Sequence, residues 1–360
     1  MNQDRISTHQ LGALLWAGLM APAAELLPAA TLPLAGRAAW LSGLMALPVV
    51  LLIGWALTRL DLRRGGLAGA VCRGLGPWAG KGVLLLYIIW GELLLSLRLR
   101  LCAQRLLTTG ERDGSLWFFL PVAALLVLWM ARGKLSAFAR AGEVFLTVLL
   151  TAAGAVLFLS LPQTKGEHLL PLWWGDLPNA AKAALPVLGV LGYGVFTGFL
   201  LEDLEESRSG QNRWILWSAV GCCLLGLSQA VVIGNFGPTL AQQLDSPFFA
   251  LAKSVGVEGA FQRVESMVAA VWTFADLALM GLLAIAIWRA AAGVTPKVRQ
   301  KPVVTAAVLI AAVLGIAAFP DSISAEKAGS EMVLWGNLIA GAGIPMLVLL
   351  IGSLRGKEWR

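Results

Sequence analysis

Ten apolar stretches recur along this 360-residue chain, most of them long enough to cross a bilayer as a helix. The hydrocarbon core is about 30 Å thick, and at 1.5 Å per residue a helix needs about 20 apolar residues to span it. Inside lipid every backbone N–H and C=O must find an internal partner, so such stretches fold as bundled α-helices. Spans are expected near 8–28, 38–58, 82–104, 116–131, 141–161, 181–201, 214–234, 264–289, 303–319 and 332–353, in one transmembrane domain over 1–360. Spans four and nine are short and are expected to extend beyond these limits. Only 14% of residues are charged, against roughly 25% in a soluble domain, and no stretch between spans is large enough to fold alone.

Orientation follows from the basic residues. With the N-terminus inside, 18 of the 28 Lys and Arg residues fall on the cytoplasmic side and 10 on the other. The positive-inside rule therefore puts both termini in the cytoplasm, which an even number of spans satisfies. The net charge of +7 sits in short loops, so it reads as a topology signal and gives no reason to expect nucleic acid. Trp40, Trp117, Trp173, Trp174 and Trp335 fall near expected outer interfaces, and Trp129, Trp214 and Trp288 near inner ones, a depth that suits indole. Lacking a short apolar core and cleavage site, the N-terminus is read as a retained span rather than a signal peptide.

Spans one and six are irregular. Span one carries Gly18 and Pro22, and span six carries Pro186, Gly189, Gly192, Gly194 and Gly198. Proline removes a helical donor, and each glycine weakens a helix by roughly 1 kcal/mol. If the chain is two halves of five spans, approximately 8–161 and 181–353, the irregular spans occupy matching positions in repeats of opposite topology. Interrupted segments so placed point to a binding site at the membrane midplane. The candidate ligand-binding residues are Ala21, Pro22 and Ala23 in span one, and Gly192, Tyr193 and Gly194 in span six; Gly192→Leu is expected to block binding. Close helix packing and a simple kink explain the same residues about as well.

Three acids fall within spans: Glu25, Glu92 and Asp276. Each costs about 2.5–3.5 kcal/mol at the bilayer centre and needs a partner or a role. Asp276 and Glu92 are candidates for ion or proton coupling, while Glu25 is expected to reach the interface. Arg98, Arg100 and Arg105 are expected to snorkel to the headgroups, although Arg98 and Arg105 share a helix face. The run Glu202, Asp203, Glu205, Glu206 reads as a solvated helix end. Residues 235–260 are too broken to span, and a short helix is expected to start at Asp245 or Ser246, before Pro247. The four cysteines and two histidines form no metal-ligand pattern. With no nucleophile or phosphate motif either, neither a cofactor nor an enzymatic activity is expected.

The chain resembles the spore germination permeases, the B subunits of endospore germinant receptors, within the amino acid–polyamine–organocation superfamily. The resemblance rests on Ile6-Ser7-Thr8-His9-Gln10, on Gly133 with Arg140-Ala141-Gly142-Glu143, and on Leu169-Leu170-Pro171. It rests most on NFGPTLAQQLDSPFF followed by Phe261-Gln262-Arg263-Val264-Glu265 and Trp272. Two places depart from the pattern: span six has no acid near its glycines, and TTGERDGSLW lacks a proline. The resemblance implies an all-α, LeuT-like fold of inverted five-helix repeats with helices one and six broken. It implies a small nutrient ligand, often an amino acid, receptor A and C subunits as partners, and the spore inner membrane as the location. An H⁺- or Na⁺-coupled amino acid transporter is the competing reading, because sensing and alternating access use the same broken helices.

Overall fold

The computed structural model describes residues 5–58, 60, 62, 65–109, 115–205, 209–244, 246–254 and 264–354, and these are almost wholly helical. The order is α1 (Thr8–Ala35), a 3-10 segment Gly36–Leu41, α2 (Ser42–Thr58), α3 (Gly66–Leu75), α4 (Pro77–Thr109), α5 (Leu116–Ala131) and α6 (Leu135–Ser160). Then come α7 (Leu177–Leu191), a 3-10 run Gly192–Asp203, α8 (Ser209–Gln243), α9 (Pro247–Ser254), α10 (Val264–Val294) and α11 (Gln300–Ala317). A last helical stretch, Ser322–Leu354, contains two π-type segments, Ala328–Val333 and Ile339–Gly343. Each of the ten expected spans falls on one of these helices. Among the described residues, eight stretches are long and apolar enough to cross a membrane, one of which, Thr8–Trp55, joins the first two spans. Span four does not extend as expected: Ser115 caps α5 through Trp117 N–H, and the helix stops at 16 residues.

α1 starts on a reciprocal cap. Ser7 Oγ accepts from Gln10 N–H at 3.1 Å, and Gln10 Oε1 accepts from Ser7 N–H at 3.0 Å, satisfying two donors that a helix start leaves open. The helix then runs without unwinding through Pro22, Pro28 and Pro33. The interruption expected in span one is therefore confined to the hydrogen bonds that proline cannot make. The chain leaves the helix at Gly36, whose φ of 51° suits glycine.

α10 lies at the centre, packed by α1, α4, α5, α6 and α11. Lipid tails are as apolar as leucine, so close backbone approach rather than hydrophobic drive holds such helices together. Small residues permit it: a Cβ on Gly18 of α1 would sit 3.0 Å from the Leu279 backbone of α10. The outer helices turn Leu125, Trp129, Val144, Phe158 and Val313 outward, as a lipid-facing surface requires.

The broken stretch after span seven resolves into two parts. α8 continues to Gln243 across a kink at Gly237, where φ is 75°. Pro238 withdraws the donor that would have reached the Gly234 carbonyl. That oxygen accepts instead from Lys165 N–H at 2.9 Å, and His168 Nδ1 lies 2.8 Å from it. α9 then starts at Pro247, as the Ser-Pro step suggests; Asp245 is outside the described residues.

Candidate functional site

Span six departs from α geometry at Gly192 and continues as a 3-10 helix for 12 residues. Runs longer than three or four residues are uncommon, and a 3-10 stretch within a helix often marks a hinge or strain. Glycines at 192, 194 and 198, with Val195, Thr197 and Phe199 among and beside them, leave few of the residue types that favour α-helix. The run is fixed at both ends. At its start, Gly192 lies against the last helical stretch so closely that a Cβ there would sit 2.5 Å from the Asn337 carbonyl oxygen. At its end, Ile6 N–H donates to Asp203 O and Glu205 N–H donates to Ile6 O, both at 3.0 Å. Arg289 of α10 binds Glu202 at 2.6 Å and both Asp203 oxygens at 2.7 and 2.5 Å. The expected solvated acidic end is thus, at Glu202 and Asp203, an ion-paired junction of α10, span six and the residues before α1. Glu206 is outside the described residues.

A second ionic assembly lies about 20 Å further along α10, from Arg289 back to Asp276 at 1.5 Å per residue. Arg98 Nη2 donates to Glu25 at 3.0 Å and to Asp276 at 2.8 Å. Arg105 Nη1 donates to Asp276 at 2.7 Å, and its Nη2 to Glu25. Two acids and two arginines from α1, α4 and α10 form a ring of ion pairs in which Arg98 and Asp276 are fully buried. Arg98 and Arg105 share a face of α4 at seven-residue spacing, as expected, but turn inward instead of snorkelling, because acids on two neighbouring helices meet them there. Glu25 is likewise turned inward. Arg100 satisfies the chain leaving α11, donating to Phe319 O at 2.9 Å and Pro320 O at 3.3 Å. α9 covers the ring: Phe249 lies 5.6 Å from the Arg105 guanidinium and packs edge-on against Trp272. Tyr193 is fully buried, and its hydroxyl has no hydrogen-bond partner.

On the other side of the 3-10 run lies a cavity of about 530 Å³, bounded by α1, α2, α7, the run and the last helical stretch. Leu15, Ile53, Leu57, Leu188, Leu191 and Val195 make its wall mainly apolar. Gly192 and Gly194 also line it, and Thr8, Glu202, Glu205 and Asn337 add polar groups. This volume falls within the usual range for small-molecule pockets.

The sequence profile of the spore germination protein (spore permease) family matches residues 5–325. The chain belongs to the spore germination protein family. No curated protein matches it significantly. Among solved structures it is similar to MhsT in complex with L-phenylalanine, at TM-score 0.65 and 14% identity over 95% of this chain and 88% of that one. It is also similar to Mhp1, a nucleobase-cation-symport-1 family transporter solved closed with bromovinylhydantoin bound, at TM-score 0.54 and 16% identity over 98% and 76%. A mutant manganese transporter from Eremococcus coleocola matches at TM-score 0.52 and 14% identity over 97% and 85%. These likenesses place the spore germination permease chain in the LeuT-like transporter fold.

The residues that carry the family resemblance meet in space. His9 Nδ1 lies 2.9 Å from Glu143 Oε1, joining the opening motif to the one at the start of α6. Gly142 lets α6 approach Leu14 of α1, where a Cβ would sit 3.0 Å away. NFGP and the segment through His168 form the α8 kink. Trp272 is buried and donates to Met20 O at 3.3 Å. Phe261, Gln262 and Arg263 are outside the described residues.

Of the candidate site residues, Gly192 and Gly194 line the cavity, while Tyr193 does not. Ala21 and Pro22 are buried in α1 and do not line the cavity, and Ala23 is half-buried. Asp276 belongs to the ring. Glu92 stands apart in α4, half-buried, with Oε1 lacking a hydrogen-bond partner. Sequence reasoning passed over Asn337, a fully buried amide whose Oδ1 accepts from Trp90 Nε1–H at 2.9 Å. Its only signal was a lone asparagine in an apolar span.

Proposed function

We propose that this chain is the membrane subunit of a spore germinant receptor that binds a small nutrient such as an amino acid and triggers germination. The observation that carries the reading is the 3-10 run of span six, open along one side to an apolar cavity in a spore germination permease. MhsT and Mhp1, which share the fold, were solved with L-phenylalanine and with a hydantoin bound, ligands of similar size to the one proposed. Gly192 and Gly194 of span six line the cavity and form the ligand-binding region between two inverted repeats, while Ala21, Pro22 and Ala23 of α1 and Tyr193 of span six, which do not line it, stand behind its wall. The A and C receptor subunits are the partners, the spore inner membrane is the location, and both termini face the cytoplasm. A signal can arise in the run itself. Twelve residues extend about 24 Å at the 3-10 rise and about 18 Å at the α rise, so a ligand that changes the balance would shift the Asp203 junction by several ångströms.

The second reading is an H⁺- or Na⁺-coupled amino acid transporter. Glu92 favours it, because a carboxylate oxygen buried without a partner is suited to taking up a proton. Coupling through Asp276 would first require both arginines to release it. Uptake of radiolabelled amino acids into proteoliposomes holding the full chain, with and without a pH or Na⁺ gradient, separates the two. Saturable binding without accumulation supports the receptor; gradient-driven accumulation lost in Glu92→Gln supports the transporter.

A further inference from the structure

The second π-type segment of the last helical stretch, Ile339–Gly343, leaves one carbonyl for another helix to satisfy. Ile344 N–H bonds back to Ile339 O, five residues away, instead of to Ala340 O, its α-helical partner. Ala340 O would look next to residue 345, but that is Pro345, which has no N–H. A carbonyl without a donor is costly at membrane depth. Here Tyr87 of α4 supplies it: its hydroxyl donates to Ala340 O at 2.7 Å. Residues three apart share a helix face, and on that face of α4 Trp90 Nε1–H donates to Asn337 Oδ1 at 2.9 Å. The Trp90 indole lies on Gly336, where a Cβ would collide with it. α4 therefore grips the last stretch at two points, one of them inside the π segment.

Tyr87 also meets the 3-10 run of span six. Its buried ring packs edge-on against Phe199, with centroids 5.3 Å apart, and against Phe196 at 6.3 Å. The start of that run lies backbone to backbone on the π segment: a Cβ on Gly341 would sit 2.8 Å from Gly192 Cα. One side chain thus holds both irregular segments, one by its hydroxyl and the other by its ring.

We propose that Tyr87 is a positioning residue that locks the π register of span ten and couples that register to the 3-10 run. In the π form Tyr87 is the donor to Ala340 O. In the α form Ile344 N–H would take its place and release the hydroxyl. A change in the run that moves Phe196 and Phe199 shifts the Tyr87 ring, withdraws the hydroxyl and favours the α form. A change of register by one residue turns the helix beyond it by about 100°, and with it the exposed side chains of Leu347, Leu350 and Leu354. The state of the run is thereby carried to the lipid-facing surface, whether the chain senses or transports. π segments within helices are frequent at functional sites.

The test is amide hydrogen exchange of the full chain in nanodiscs, read in peptides covering 188–205 and 334–350. Tyr87→Phe keeps the ring against the run and removes only the hydroxyl. Neither register is then held, and exchange in 334–350 is expected to rise about 10-fold. Pro345→Ala returns a backbone N–H that can reach Ala340 O in the π register. The double variant is therefore expected to lose most of the Tyr87→Phe effect, a rescue that a packing role alone would not produce. Phe199→Leu changes only the contact on the run and is expected to raise exchange in 334–350 as well as in 188–205. Thermal unfolding confirms that each variant is folded. Unchanged exchange in 334–350 for folded Tyr87→Phe, or an equal rise with and without Pro345→Ala, would overturn the register lock. A Phe199→Leu response confined to 188–205 would overturn the coupling.

Discussion

Replacing Asp276 by Asn is expected to destabilise the folded protein more than any other single change at the ionic ring. The side chain keeps its shape but loses the charge that faces Arg98 at 2.8 Å and Arg105 at 2.7 Å. Of the two acids described in the ring, only Glu25 would then face the two guanidinium groups, at a place where Arg98 has no exposure to water. Removing one partner from a buried ionic assembly costs about 3–5 kcal/mol, because an uncompensated charge is left behind. At roughly 2 °C per kcal/mol for a chain of this size or somewhat smaller, the thermal midpoint in nanodiscs should fall by about 5–10 °C. Adding Arg105→Gln removes one of the two guanidinium charges and should recover at least half of the loss. The assay is thermal unfolding followed by tryptophan fluorescence for wild type, Asp276→Asn and the double variant. An Asp276→Asn midpoint equal to wild type would refute the reasoning: the acid would not depend on its arginines, and its availability for ion coupling would have to be reconsidered.

Two further outcomes follow from the geometry. Gly192→Ala puts a methyl 2.5 Å from the Asn337 carbonyl oxygen and should cost about 1–3 kcal/mol through overpacking, whereas Gly194→Ala meets only Leu15 at 3.7 Å and should melt like wild type. For the same reason Gly194→Leu is a cleaner test of ligand blockage than Gly192→Leu, whose side chain collides with backbone. At the start of the last helical stretch, Asp321 Oδ1 accepts from Ser324 N–H at 2.6 Å, which holds its carboxyl below the ordinary value. A depressed folded value means the cap stabilises fully above the unfolded pKa, about 3.9, and loses its effect as pH falls through the lower folded value. Melting curves of wild type and Asp321→Ala should therefore differ near neutral pH and converge in acid; a gap that persists in acid would contradict the capping role.

The positions of the spans were legible because each apolar run is long and continuous, and lipid leaves helix as the one backbone solution for it. The density of glycine in span six pointed to the break, but not to its 3-10 form, which depends on what holds the run's two ends. The prolines of span one suggested an unwound segment; in the fold, packing of α1 against α6, α7 and α10 keeps it helical. Arg98 and Arg105 could be placed on one face from spacing alone. Their acids could not be assigned, since no local pattern links residue 25 to 105 or 276 to 98, and only the arrangement of α1, α4 and α10 brings them together. Asn337 was passed over for a similar reason: its importance comes from Trp90, 247 positions away. The family motifs gave the fold, and their contacts explain why: His9 meets Glu143, and Pro238 frees the carbonyl that anchors the segment before α7.

The central claim is that a small nutrient binds where span six leaves α geometry. Hydrogen–deuterium exchange of the full chain in nanodiscs, with and without saturating L-leucine or L-phenylalanine, tests it most directly. The account predicts that ligand-dependent protection is largest in peptides covering 188–205, with a smaller change at the start of α1, which is tied to that segment through Ile6. Protection confined to other helices, with 188–205 unchanged by a ligand that demonstrably binds, would contradict it.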